Sequence, residues 1–84
     1  MNKQYSDYIE NLKLDQQSAS GQCFDVCIEM KKKFPELRFA KGFYNDAKAG
    51  WRGHWWLKTA SGEIIDPTAI QFPTNGNGKY EEWK

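Results

Sequence analysis

Apolar side chains in the first half of the chain recur at helical spacing. Tyr5, Tyr8, Ile9 and Leu12 fall between polar residues and predict a short amphipathic helix over residues 3–13, a lid or packing element. Cys23, Val26, Cys27, Met30 and Phe34 then stand at i, i+3, i+4, i+7 and i+11, forming one apolar stripe on a second helix from about Gln22 to Lys33. Between the two, Asp15 to Gly21 is polar and small, with Ser18 or Ser20 suited to cap the second helix and Gly21 to let the backbone approach another group. Lys31, Lys32 and Lys33 complement the carboxyl end of the helix dipole, and Phe34 ahead of Pro35 stops the element.

The period then changes from helical to alternating. Leu37, Phe39 and Phe43 alternate with Arg38, Ala40 and Tyr44, which predicts a half-buried strand followed by a loop over Asn45 to Gly50. In the next strand Trp51, Gly53, Trp55 and Leu57 share one face, and Arg52, His54, Trp56 and Lys58 the other. Thr59 to Glu63 suits a three-residue hairpin loop, a type I turn closed by Gly62 in the left-handed conformation, so that Thr59 pairs with Glu63. In that register Trp56 falls opposite Asp66 and His54 opposite Thr68. His54 and Asp66 become diagonal neighbours on one face, roughly 7 Å apart between backbones. A two-residue Ser61-Gly62 loop puts them on opposite faces instead. Beyond Pro67 the chain reaches Phe72, Pro73 and an Asn-Gly-Asn-Gly turn, and Tyr80 and Trp83 are expected to pack back on the core as a terminal strand or short helix.

Composition narrows what this pattern can be. An 84-residue chain holds one small domain, spanning 1–84, and 39% hydrophobic residues with 15% aromatics suffice for a core without staples. Twelve basic against eleven acidic residues give a net charge of +1, too little field to attract nucleic acid or an anionic membrane. No apolar run approaches the roughly 18 residues of a membrane span, and Met1 to Glu10 is too polar for a secretory signal, so a cytoplasmic setting is expected. Cys23 and Cys27, four apart on one helix, are read as thiols rather than a disulfide.

Within that frame Cys23, His54 and Asp66 carry the candidate chemistry. A thiol in the first turn of a helix is acidified by unpaired N–H groups and the dipole. An imidazole can take its proton and later give it to a leaving amine, while a carboxylate on the other ring nitrogen fixes tautomer and orientation. The Cys23 N–H with a side chain from Gln16, Gln17 or Gln22 is the expected oxyanion hole.

Gly21-Gln22-Cys23 opening a helix, His54-Trp55-Trp56-Leu57 on a strand, and Gly62-Glu63-Ile64-Ile65-Asp66-Pro67-Thr68 on the next resemble the transglutaminase-like branch of the papain-like cysteine enzymes. The similarity covers about residues 18–72. It implies an α+β fold: a small papain-like core in which a Cys-bearing helix packs on an antiparallel sheet of three or so strands, plus an N-terminal helix. It also implies acyl transfer on a peptide or protein amide without a cofactor or metal, with Cys23 as nucleophile, His54 as general base and acid, and Asp66 as orienter. Gln17, six residues before Cys23, stands where the papain pattern has its oxyanion-hole glutamine, and Gln16 and Gln22 compete for that role. The chain is much shorter than most such enzymes and has no evident second subdomain to wall a cleft.

Each residue also has a structural reading. Cys23 on an apolar stripe reads as core, His54 as a packing residue, and Asp66 before Pro67 as a turn. Trp51, Trp55 and Trp56 read as core bulk. On the functional side, Trp56, with Trp55, is a candidate substrate wall or a shield for the His–Asp pair. Two competing functions remain open: a non-catalytic binding or inhibitor module with the same fold, and a zinc site from Cys23, Cys27, His54 and Asp66.

Overall fold

A computed structural model describes residues 2–83. Helices α1 (Lys3–Leu12), α2 (Gln16–Ala19) and α3 (Cys23–Lys33) precede strands β1 (Arg38–Asp46), β2 (Gly50–Lys58) and β3 (Ile64–Ile65); a 3-10 turn (Ala69–Gln71) leads to β4 (Lys79–Glu82). The strands form one curled antiparallel sheet in the order β3-β2-β1-β4, so the domain is α+β with four strands rather than three.

The helical stripes fall where the spacing placed them. Cys27, Met30 and Phe34 of α3 pack with Leu37, Leu57 and Ile65, and Tyr5 of α1 joins them. Tyr5 meets Phe34 edge-on at 4.9 Å, and its hydroxyl donates to Glu36 Oε2 at 2.6 Å. These contacts lie at the carboxyl end of α3, so α1 packs there by its first turn, while its last turn borders a cavity with Asp66 and Pro67.

The segment before α3 differs from expectation. Asp15 and Ser18 form a reciprocal capping box that nucleates α2, Asp15 Oδ1 accepting from Ser18 N at 2.7 Å and Ser18 Oγ from Asp15 N at 2.8 Å. Ser18 is therefore used one helix early, and α3 starts at Cys23, its N-cap Gln22 making no side-chain capping bond. Gly21 has φ +75° and open space where a Cβ would stand, so it serves the turn rather than a close approach.

The turn after β2 has the expected form. Thr59 N donates to Glu63 O at 2.9 Å, Gly62 N to Thr59 O at 3.0 Å, and Gly62 takes φ +91°. Leu57 pairs with Ile65 and Lys58 with Ile64, the register derived from a three-residue loop. Pairing stops there. Beyond Ile65 the chain leaves the sheet, and β2 upstream of Leu57 keeps an edge that β3 does not cover.

On β1 the large hydrophobic residues do not mark the buried face. Ala40, Tyr44 and Asp46 are buried, whereas Phe39 and Phe43 are exposed at 38% and 39%. The 66–74 segment packs over the covered face, where Tyr44 stacks on Phe72 at 4.3 Å and meets its strand neighbour Tyr80 at 4.8 Å. Trp51, read from sequence as core bulk, is 52% exposed on the other face. β4 lies along β1 with Tyr44 opposite Tyr80 and Gly42 opposite Glu82. A Cβ on Gly42 would strike the Glu81 carbonyl, so the missing side chain is what admits β4.

Candidate active site

Three elements converge on His54. β2 carries the ring inward, with the residue only 2% exposed. The chain leaving β3 turns at Asp66-Pro67-Thr68, where Asp66 Oδ1 accepts the Thr68 N–H at 3.1 Å, an Asx turn that aims the carboxylate. His54 Nε2 then donates to Asp66 Oδ2 at 2.7 Å, with both side chains almost closed to solvent. From β4, Tyr80 donates its hydroxyl to the same Asp66 Oδ2 at 2.6 Å. Asp66 thus accepts from three directions, so its buried oxygens are satisfied.

The other ring nitrogen is left for sulfur. His54 Nδ1 is buried and closes no hydrogen bond of full geometry, while the half-buried Cys23 thiol interacts with the ring. Long or bent contacts of this kind are usual before substrate arrives. Cys23 is the first residue of α3, and the backbone N–H groups of Phe24 and of Trp55, on a stretch of β2 that β3 does not cover, act on the sulfur to favour its negative form. The short β3 thus leaves this edge of β2 open to the amino end of α3.

These contacts set the protonation states. Burial pushes the Cys23 thiol up, but hydrogen bonds from His54 and the Trp55 N–H, with the imidazole charge, outweigh it and leave the thiol below its ordinary value. Burial pushes His54 down, but the Asp66 hydrogen bond, the Cys23 interaction and both negative charges raise it from 6.5 to about 9. The opposite shifts favour a thiolate–imidazolium pair. Cys27, one turn along α3, is fully buried and its thiol is pushed far up, chiefly by burial.

Of the residues singled out from sequence, Cys23, His54 and Asp66 are brought together. The glutamines are not gathered the same way: Gln16, Gln17 and Gln22 are all exposed, and none makes a side-chain hydrogen bond among the described residues. Gln16 alone lines a cavity beside Gly53. Trp56 is 1% exposed, stacked on His54 at 5.8 Å and edge-on to Tyr80 at 5.1 Å. It shields the His–Asp pair from behind; its burial leaves no surface for the substrate contact expected of it. Trp55 is half-buried between Phe24 and Phe39, at 4.9 and 6.2 Å, with Lys41 Nζ 5.2 Å from its ring. Among the described residues no group of three or more His, Cys, Asp or Glu side chains could hold a metal ion.

Tyr80 was expected only to pack on the core, and its bond to Asp66 was not read from sequence. Nothing within Lys79 to Glu82 signals it; the pairing depends on Gly42 on another strand. The chain matches no family model, no curated protein and no solved structure. No helix among the described residues is long and apolar enough to cross a membrane.

Proposed function

We propose that this chain is a small cysteine hydrolase or acyltransferase acting on a peptide or protein amide, built on a papain-like core of the transglutaminase-like kind. The observation that carries the reading is His54 held between two partners, Nε2 on Asp66 Oδ2 at 2.7 Å and Nδ1 left for Cys23. In this reading the Cys23 proton passes to His54 Nδ1 and the thiolate attacks the amide carbonyl carbon. The unpaired N–H groups of the first turn of α3 support the negative oxygen that forms. The carbon–nitrogen bond then breaks, His54 gives its proton to the departing amine, and the thioester passes to water or to another amine. Asp66 holds the ring in orientation throughout.

Thiol labelling tests this directly. The wild-type protein should react with iodoacetamide at Cys23 well below pH 8, and Cys23→Ala should fold yet lose that labelling. Slow labelling with an ordinary thiol pKa sinks the proposal.

A non-catalytic binding module is favoured by one feature, the aromatic residues left open on the outer face of the sheet. Phe43 lies 6.4 Å from Trp51 and 5.6 Å from Trp83, and both tryptophans are more than half exposed. If that face is the function, Trp51→Ala abolishes biological activity while Cys23→Ser and His54→Ala preserve it.

A further inference from the structure

Beside the candidate triad lies a cavity of about 380 Å³ whose lining includes Gln16, Ser20, Arg52, Gly53, Gln71 and Phe72. It shares walls with the catalytic centre. Gly53 immediately precedes His54, and the Phe72 ring meets the His54 ring edge-on at 4.9 Å. Arg52 stands two residues before His54 on the same face of β2, about 6.6 Å along the strand. The opposite wall is braced: Gln71 Nε2 donates to Thr68 Oγ1 at 3.1 Å, and the Thr68 N–H donates to Asp66.

The donors here are uncommitted. The Arg52 guanidinium has no ion pair or hydrogen bond among the described residues, nor do the side chains of Gln16 and Ser20. No carboxylate of the described residues lines the cavity. Buried Asp46, two residues beyond Tyr44, the strand partner of Arg52, is already engaged: Oδ1 accepts from Lys48 N and Ala49 N, and Oδ2 from Thr74 N and Oγ1. A guanidinium presents a planar fork of donors that fits a carboxylate.

We propose that this cavity is a carboxylate subsite, so that the substrate carries an anionic group, a chain-terminal carboxylate or an acidic side chain, on the Gly53 side of the amide. Arg52 is its principal ligand, and Ser20 and Gln16 supply neutral donors. Gly53, between Arg52 and His54 along β2, also borders the cavity. The inference rests on the Cys–His–Asp reading, since that places the reacting amide.

The test is alkylation of Cys23 by a matched set of reagents: N-bromoacetylglycine, its carboxamide, and N-bromoacetyl-aspartic acid 1-amide. The carboxylates should outpace the carboxamide by roughly threefold to tenfold, falling with added salt. Whichever carboxylate is faster tells a terminal carboxylate from an acidic side chain. Arg52→Gln should erase the advantage, Arg52→Lys should keep part of it, and Lys32→Gln, on the exposed face of α3, should leave it intact. An equal advantage in wild type and Arg52→Gln assigns the effect to the His54 charge and overturns the subsite. Uniformly slow labelling would instead defeat the triad, and the subsite is then read without chemistry. Titration of Cys23→Ala with N-acetylglycine should shift the Gly53 and Gln71 amide resonances, and the shifts should vanish in Arg52→Gln; no shift in Cys23→Ala overturns the subsite.

Discussion

Tyr80 and His54 share one oxygen: the phenol donates to Asp66 Oδ2 at 2.6 Å and the imidazole to the same atom at 2.7 Å. The two donors compete for one negative charge. Removing the phenol in Tyr80→Phe should strengthen the pull of Asp66 on the ring and move His54 to a higher pKa, read as the midpoint of its ring resonances in an NMR titration. Asp66→Asn should do the reverse. Burial is then opposed by Cys23 alone, His54 falls below its wild-type value of about 9, and Cys23 labelling at neutral pH drops, roughly tenfold for each unit of pKa lost. A midpoint that stays fixed in Tyr80→Phe would reduce Tyr80 to packing.

Activity should follow a bell. Turnover requires the thiolate and the imidazolium together, so it rises through the lowered Cys23 pKa and falls as His54 loses its proton near pH 9. Stability carries a related signature. In Cys23→Ala, Asp66, the larger of the two supports, still holds His54 above its unfolded value. Protonation of His54 then stabilises the fold fully below pH 6.5, and the contribution is lost as pH rises through the His54 pKa that Asp66 alone supports, below the wild-type value of about 9. Thermal melts of that variant should therefore show Tm declining across this window. The decline should disappear when Asp66→Asn is added.

Only one of the two thiols should react in the native state. Cys27 is 0% exposed and its thiol is raised by burial, so mass spectrometry after iodoacetamide at pH 7 should find a single adduct, on Cys23. Cys27 should label only in denaturant. A native Cys27 adduct would place α3 away from Leu57 and Ile65.

What sequence could disclose depended on how local each determinant was. The Thr59 to Glu63 turn, the stripe of α3 and the Asp66-Pro67-Thr68 bend are set by neighbouring residues, and from them the pairing of His54 with Asp66 followed. β4 was legible only as a terminal strand or short helix around Tyr80 and Trp83; it is a strand, and Trp83 beyond it is 53% exposed and does not pack on the core. Lys79, Tyr80, Glu81 and Glu82 have no strand signature, and their place is decided by the absent side chain of Gly42. The buried face of β1 misled for a related reason: Ala40 and Gly42 look like gaps in an apolar pattern, yet they make room for the packing above them. Gln16 reaches its cavity through α2, a four-residue helix held by a capping box that reads equally well as a loop.

Gly62 is the residue on which the site's register turns. At φ +91° an L side chain is strained, so Gly62→Ala should cost roughly 1–2 kcal/mol even though open space awaits its Cβ. The strain bears on function because the bond from Gly62 N to Thr59 O closes the loop that pairs Leu57 with Ile65. Deleting Ser61 is the sharper change. A two-residue loop shifts β3 by one position relative to β2, and a one-residue slip turns the Asp66 side chain to the opposite face. The deletion should slow Cys23 labelling and lower the His54 pKa by removing the support of Asp66, while circular dichroism still reports a folded α+β domain. Gly62→Ala should keep both properties with a lower Tm. If the deletion retains the raised His54 pKa, Asp66 is positioned by its own Asx turn with Thr68, independently of the hairpin.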